Sequence, residues 1–203
     1  MPREIEFLYD FGSPNAYFVH CALPAITALG RVTFRPVPVL LGGIFKAIGN
    51  QSPMQAYGHI AAKRDYDFLE MRRFMARHGI DRFQFNPHFP VNTLLAMRGA
   101  VAAEQLDCGP AYVEAMMAGM WEQARKLDDP QVWAETLEAA GLDAAALGAA
   151  AGTAEVKARL IANTEAAVAR GVFGIPTFFL GDEMWFGKDR LRDVVEAASG
   201  ETP

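Results

Sequence analysis

A serine lies where the chain changes from a strand to a helix. In the segment 10–17, Ser13 follows a β-prone stretch and precedes Pro14, a pair typical of the N-cap and first position of a helix. A helix start presents unpaired N–H groups and positive dipole, which favour a bound anion by roughly 0.3–1 kcal/mol. A ligand's thiolate is such an anion, and Ser13 would donate a hydrogen bond to it without being a nucleophile. Helix capping alone also explains Ser13, and for this motif by itself it is the simpler interpretation.

A proline motif at residues 171–177 is the second candidate for chemistry. Pro176 precedes the β-prone run 177–180, and proline is unusual before an inner strand because it removes a ladder donor. The position therefore indicates a special backbone, such as a cis Ile175–Pro176 bond. Such a bond would expose the Ile175 N–H and C=O to a peptide-like ligand that adds as a strand. An ordinary turn proline is the alternative.

The sequence gives little support to metal or cysteine redox chemistry. No Cys or His partner stands at metal-ligand spacing from the histidines, which are better explained as surface or packing residues: His20, His59, His78 and His88. Cys21 and Cys108 form no C-x-x-C pair, so no metal and no redox cycling is predicted. The larger aromatic residues are better explained as core, although a few would line an aromatic pocket: Phe83, Phe85, Phe89, Trp121, Trp133 and Trp185.

Composition narrows the class of protein. The 203 residues are 51% hydrophobic and 21% charged, as in soluble globular proteins, and the net charge is -5. Without a Lys/Arg run, nucleic acid is not an expected partner. No apolar stretch reaches membrane length, and the start of the chain lacks the pattern of a signal peptide. We therefore expect no membrane partner and a cytoplasmic location.

The order of secondary structure places both motifs in one fold. Residues 38–53 are predicted as a long loop, and Gly141 and Gly152 are predicted to interrupt the last long helical stretch. Strands are predicted at 4–9, 31–37, 177–180 and 183–186, with a turn at 181–182; helices are predicted at 14–29 with a kink at Pro24, 54–78, 92–104, 110–126, from 129–130 onward, 137–170 and 189–198.

A β-α-β unit, a helical block, a hairpin and a last helix predict an α/β, thioredoxin-like fold with a large helical insertion. The first two strands should pair in parallel. The thioredoxin-like domain would be discontinuous, formed by residues 1–37 and 171–203, and residues 38–170 would form the mostly helical insertion.

Four segments in the same order carry a resemblance to a known family. The stretches 9–17, 45–50, 174–177 and 180–191 together resemble 2-hydroxychromene-2-carboxylate isomerases, relatives of the kappa-class glutathione transferases. The resemblance covers nearly the whole chain, and the 180–191 segment is its most specific part. It implies a dimeric, glutathione-dependent isomerase of naphthalene-type aromatic catabolism, which interconverts 2-hydroxychromene-2-carboxylate and trans-o-hydroxybenzylidenepyruvate.

The resemblance also implies roles for individual residues. Ser13 matches the serine that holds the glutathione sulfur, and Ile175 with Pro176 matches the backbone that meets the tripeptide. The γ-glutamyl end would be held by the segment Phe186, Gly187, Lys188 and Asp189, where a carboxylate suits an ammonium group. The substrate would meet Lys46, Asn50, Gln55 and Phe89, with Lys46 receiving its carboxylate.

The chain departs from the isomerase pattern in two places, which leaves alternatives open. Lys188 stands where the naphthalene-pathway enzymes carry asparagine. The segment 51–63 is longer than the corresponding segment of those enzymes and has a different composition. Lys63 and Tyr66 are further polar candidates there, and a solvated surface explains this group equally well. A kappa-like glutathione transferase and a non-catalytic glutathione or peptide binder therefore remain alternatives. A thiol oxidoreductase would need a thiol where Ser13 stands.

Overall fold

A mixed four-stranded sheet forms the centre of the molecule. The computed structural model describes residues 2–200, so the predicted domain limits at residues 1 and 203 lie outside it. The strands are β1 (Arg3–Tyr9), β2 (Val32–Pro38), β3 (Thr177–Leu180) and β4 (Glu183–Phe186), in the spatial order β2-β1-β3-β4. β1 and β2 are parallel, whereas β3 is antiparallel to both β1 and β4. The predicted parallel unit and hairpin are confirmed.

Helices surround the sheet and form the block between its two halves. In β1, consecutive residues from Phe7 to Tyr9 are all buried, so both faces of this strand are covered. α1, α5, α9 and α10 pack against the strands. The helices are α1 (Pro14–Thr27), α2 (Leu41–Ile48), α3 (Pro53–Tyr57), α4 (Ala61–His78), α5 (Leu94–Gln105), α6 (Gly109–Trp121), α7 (Pro130–Ala139), α8 (Ala144–Ala151), α9 (Ala154–Ala169) and α10 (Leu191–Ser199), the last after a 3₁₀ turn at Lys188–Arg190.

The loop predicted at residues 38–53 is wrong, because α2 lies within it. Gly42 and Gly43 lower the local helix propensity and hide this helix in the sequence. Contacts from distant parts of the chain support its start instead. The Leu40 N–H donates to Thr164 Oγ1 at 3.0 Å, and the Leu41 N–H donates to Asp10 Oδ2 at 2.7 Å. Both bonds satisfy N–H groups at a helix start that has no side-chain cap of its own.

Two predicted helices have different limits in the structure. The stretch 54–78 is divided into α3 and α4 by a turn in which Gly58 N–H bonds to the Met54 carbonyl. The stretch 110–126 stops at Trp121, and Ala124 then adopts a left-handed φ of 53°. The Arg125 N–H returns to the Gly119 carbonyl at 2.8 Å, which closes the end of α6. The predicted interruptions at Gly141 and Gly152 are confirmed, since α7, α8 and α9 are separate helices.

Candidate active site

Ser13 is the N-cap of α1. Its φ of -103° and ψ of 112° are extended, and its Oγ accepts a hydrogen bond from the Ala16 N–H at 3.2 Å. Pro14 occupies the first helical position, where a missing N–H costs nothing. The side chain is only 5% exposed. The capping interpretation is therefore confirmed, and the same geometry places the hydroxyl at the positive end of the helix dipole.

The Ser13 hydroxyl also contacts the proline motif. Its Oγ donates to the Ile175 carbonyl at 3.0 Å, across 162 positions of sequence. The Ile175–Pro176 bond is cis, as the motif predicts. The sequence predicts that the cis bond exposes the Ile175 N–H and C=O, whereas Ile175 is only 6% exposed and its carbonyl already accepts from Ser13 inside the protein. The structure brings Ser13, Ile175 and Pro176 together.

The segment after β4 reaches the same place through its backbone. The Gly187 N–H donates to the Pro176 carbonyl at 2.9 Å, and Gly187 has a φ of 93°, a conformation that favours glycine. This bond connects the end of the hairpin to the cis-proline turn. The predicted residues Phe186, Gly187, Lys188 and Asp189 therefore begin directly beside the Ser13 site.

Lys188 and Asp189 form an ion pair with unequal exposure. Lys188 Nζ lies 2.7 Å from Asp189 Oδ1, and the two side chains are 5% and 64% exposed, respectively. The Lys188 ammonium also lies 5.5 Å from the centre of the Phe74 ring on α4. The pKa of Glu70 is lowered mainly by the hydrogen bond from Arg73, and the charge of Lys188 adds a small further lowering. The pair offers a fixed cation and an accessible carboxylate.

Two exposed aromatic rings lie beside the cis-proline turn. Phe173 and Phe186 are each 41% exposed, and their ring centroids are 4.5 Å apart. A Cβ at Gly174 would lie 2.8 Å from the Phe186 ring, so this position must be glycine for the rings to approach. Asn50 Nδ2 donates to the Phe173 carbonyl at 3.0 Å and holds this loop against the end of α2. Asn50 thus supports the loop next to Ile175.

Phe89 belongs to an aromatic group that is connected to the Ser13 turn. Its ring centroid lies 5.4 Å from that of Phe85 and 6.0 Å from that of Trp121. The indole N–H of Trp121 donates to the Phe11 carbonyl at 2.8 Å, two residues before Ser13. Phe85 is 44% exposed, whereas Trp121 is fully buried. The group therefore combines a core residue with an accessible aromatic edge.

The remaining polar residues proposed for the substrate make their observed contacts with residues other than Ser13. Gln55 closes a capping box with Ser52 at the start of α3, accepting from its N–H at 3.3 Å. Lys46 lines a cleft between α2, α5 and α9. Lys63 lies 5.1 Å from the Tyr57 ring centre. Tyr66 is 56% exposed and its hydroxyl contributes to lowering the pKa of Glu70.

The role of Asp10 is not predicted from the sequence. This fully buried carboxylate accepts from the Gly12 N–H at 2.8 Å and the Leu41 N–H at 2.7 Å, so it joins the Ser13 turn to α2. Burial raises the pKa of Asp10, and these backbone hydrogen bonds and one from Thr93 oppose that increase. Its place at the end of a strand, one turn before a helix, was the available signal. The partner on α2 has no local signature.

Both cysteines are free thiols in the structure. Burial raises the pKa of the Cys21 thiol, with a smaller opposing effect from its hydrogen bond to Tyr17. The Tyr17 hydroxyl donates to Glu122 Oε1 at 3.0 Å. Across residues 2–200, no group of three or more His, Cys, Asp or Glu side chains is arranged to hold a metal ion. In the same range, every helix is too short or too polar to cross a membrane.

Comparisons with known proteins identify the family of the chain. The model of the DSBA-like thioredoxin domain matches residues 4–198. A 2-hydroxychromene-2-carboxylate isomerase of Pseudomonas putida is 31% identical over 198 residues, covering 97% of this chain and 94% of the relative. Glutathione S-transferase kappa 1 of Rattus norvegicus is 28% identical, covering 94% of this chain and 88% of the relative.

A solved structure gives the same assignment. The structure of a 2-hydroxychromene-2-carboxylate isomerase superposes with a TM-score of 0.81 at 29% identity, covering 97% of this chain and 94% of that one. The predicted α/β, thioredoxin-like fold with a helical insertion is confirmed. The chain therefore belongs to the DSBA-like thioredoxin domain family, and within it to the 2-hydroxychromene-2-carboxylate isomerases.

Proposed function

We propose that this protein is a glutathione-dependent isomerase that interconverts 2-hydroxychromene-2-carboxylate and trans-o-hydroxybenzylidenepyruvate. The observation that carries the proposal is the hydrogen bond between the Ser13 hydroxyl and the carbonyl before the cis-proline. It joins a helix start, which favours a thiolate, to backbone that suits a peptide. The relatives that are named as isomerases support the reaction.

The donor groups fit a peptide that carries a thiol. A serine hydroxyl has one proton, which Ser13 gives to the Ile175 carbonyl. A peptide N–H that paired with this carbonyl would release the Ser13 proton for a thiolate. The protein would thus lose no hydrogen bond when both groups of the ligand are seated. When bound, glutathione would supply a thiolate that adds to the substrate's conjugated double bond; once the ring has opened, the former double bond could rotate as a single bond, and elimination would restore it and return the thiol unconsumed.

The charges beside Gly187 fit the γ-glutamyl end of glutathione. This end carries one ammonium and one carboxylate group. Asp189 is exposed and would accept from the ammonium, while the adjacent Lys188 ammonium would attract the carboxylate. Lys188 is held by burial against Phe74, so this residue is positioned before any ligand arrives. The Ser13 and Lys188–Asp189 groups are connected through the Gly187–Pro176 hydrogen bond.

Aromatic side chains near these groups suit the proposed substrate. Phe89 with Phe85 offers an apolar edge that is connected to the Ser13 turn through Trp121, and Phe173 with Phe186 offers one beside the cis-proline turn. Their role would be to hold the ring of the substrate and to exclude water from it. Three further residues stay predictions as substrate residues: Lys46, Asn50 and Gln55. Lys46 lines the cleft beside α2, Asn50 bonds to the Phe173 carbonyl, and Gln55 bonds to Ser52.

The experiment follows the ultraviolet spectrum of 2-hydroxychromene-2-carboxylate with purified protein, in the presence and absence of glutathione. We expect conversion only with glutathione, and an unchanged concentration of free thiol after many turnovers. Equal conversion without glutathione would contradict the proposal. S-methylglutathione, which has the same charges and no thiol, is the matched control and should not support conversion.

A kappa-like glutathione transferase is the second candidate, favoured by the relatives of that name. The same Ser13 site would then activate glutathione for a permanent bond to an electrophile. Free thiol would disappear in a one-to-one ratio with the electrophile. A non-catalytic glutathione binder would bind glutathione and convert neither type of substrate.

A further inference from the structure

A cleft lies between α2, α5 and α9, away from the contacts of Ser13. Its volume is about 570 Å³, within the range of roughly 300–1,000 Å³ typical of sites for small organic ligands. Its walls are mainly apolar and include Leu40, Leu94, Leu160 and Val168. Ile161 at its side is 57% exposed. An apolar body of the size of a naphthalene ring would fit here.

Positive charge is concentrated along this cleft. Lys46, Arg98 and Lys157 line it, together with a single carboxylate, Glu165. The whole chain has a net charge of -5, so three cations against one carboxylate is a local reversal. Coulombic attraction would therefore draw a small anion to this face, although the molecule as a whole repels it.

These cations lack partners within the part of the chain that the structure describes. Over residues 2–200, no hydrogen bond or ion pair involves the side chains of Lys46, Arg98 or Lys157. Arginines elsewhere hold carboxylates, as Arg82 does with Glu122 and Arg170 with Glu6. Arg98 and Lys157 are half-buried. A partly buried cation without a counterion is unfavourable, and an anionic ligand would relieve that cost.

We propose that the α2–α5–α9 cleft binds an amphipathic organic carboxylate, with its apolar body against the leucine walls and its carboxylate on Arg98 and Lys157. The guanidinium of Arg98 suits a carboxylate because it can donate two parallel hydrogen bonds. The inference depends on the residues of the cleft and not on the proposed glutathione chemistry. Lys46 is the one residue that both involve.

The test measures binding of 2-naphthoate to the full chain by titration calorimetry without glutathione, beside its uncharged analogue 2-naphthalenemethanol. We expect one naphthoate per chain, bound more tightly than the alcohol. The double variant Arg98→Gln, Lys157→Gln should bind naphthoate about tenfold more weakly and the alcohol unchanged. Arg192→Gln, which removes one exposed cation on α10, is the control for loss of positive charge away from the cleft and should leave both affinities unchanged.

Two further variants separate the cleft from the Ser13 site. Ala169→Phe places a ring at an exposed position lining the cleft and should prevent binding of both probes, with its folding checked by circular dichroism. Ser13→Ala should bind naphthoate as the wild type does. Undiminished binding by the double variant, equal affinity for acid and alcohol, or loss of binding in Ser13→Ala would each overturn the inference. None of these results depends on turnover, so they can be interpreted even if the proposed isomerase activity is absent.

Discussion

At the scale of single residues, Ser13 serves the fold and the proposed chemistry with one hydroxyl. Its lone pairs accept from the Ala16 N–H, and its proton goes to the Ile175 carbonyl. The capping role uses the acceptor and leaves the proton available for exchange. A cysteine at this position would be a redox group, whereas a serine can only polarise a thiol that a ligand brings.

Replacing Ser13 with alanine should affect both rate and stability. A hydrogen bond to a charged group contributes about 1.5–3 kcal/mol, so we expect kcat to fall by roughly 10- to 100-fold. Loss of the cap should cost about 1 kcal/mol of unfolding free energy, and loss of the bond to the Ile175 carbonyl should add about 1 kcal/mol. Thr153→Ala is the matched control, because Thr153 caps α9 by accepting from the Val156 N–H and lies outside the proposed site. It should lose about 1 kcal/mol for the cap at an unchanged kcat, and an equal fall in kcat would contradict the role of Ser13.

Replacing Asp189 with asparagine should weaken the affinity for glutathione. Since this carboxylate is 64% exposed, we expect KM for glutathione to rise by only about three- to tenfold, with kcat unchanged at saturation. Steady-state kinetics over a range of glutathione concentrations would measure both. Asp182→Asn removes the same charge from the hairpin turn and should alter neither parameter. An unchanged KM in Asp189→Asn would contradict the assignment.

Cys21 should react slowly with alkylating reagents. Burial raises the pKa of its thiol, so less thiolate is present near neutral pH, and the rate should begin to rise only at higher pH than for an ordinary thiol. A Cys108→Ser variant isolates this residue. Its iodoacetamide reaction at neutral pH should be much slower when folded than in urea. Comparable rates in the two states would show that the Cys21 thiol is reactive.

At the scale of elements, α2 shows where local sequence stops being informative. The start of α1 is evident from Ser13 and Pro14, whose preferences act within one turn. α2 begins with neither signal and contains two glycines, and its first N–H groups are satisfied by Asp10 and Thr164. Those partners lie 31 and 124 positions away, respectively, so no local pattern can reveal them.

Asp10 should therefore contribute strongly to stability. Asp10→Ala leaves the part-buried Gly12 and Leu41 N–H groups without their acceptor, and each unsatisfied donor costs about 1–3 kcal/mol, with the lower end suited to partial burial. We expect the unfolding free energy to fall by about 2–4 kcal/mol in denaturant titration. Asp143→Ala, which removes the acceptor for a single N–H at the start of α8, is the control and should cost about 1 kcal/mol. Equal costs would show that Asp10 is not a tertiary connection.

In the candidate site too, some features follow from local sequence and others depend on contacts between distant parts of the chain. The serine at the helix start and the cis-proline can be predicted from the sequence because each depends on a short motif. The pairing of Lys188 with Asp189, the bond from Asn50 to the Phe173 carbonyl, and the bond from Trp121 to Phe11 depend on the folded chain. The family resemblance supplied the segment that contains the ion pair. It did not show that Lys188 is buried.

At the scale of the whole molecule, the helical block between β2 and β3 contributes residues to the candidate site. Phe89 and Trp121 come from this block, while Ser13 and Ile175 come from the segments beside the sheet. The division into a discontinuous domain, 1–37 with 171–203, and an insertion, 38–170, stays a prediction. α9, which belongs to the predicted insertion, contacts β2 of the predicted thioredoxin-like domain as well as α2. A homodimer and a cytoplasmic location also stay predictions.

The central claim is that the Ser13 site binds glutathione and stabilises its thiolate. The most direct measurement is a pH titration of the thiolate ultraviolet absorbance of glutathione bound to the wild type, with the protein spectrum subtracted. We predict a thiol pKa clearly below that of free glutathione, and a return toward the free value in Ser13→Ala. Binding with an unshifted thiol pKa, or no binding of glutathione at all, would contradict the account.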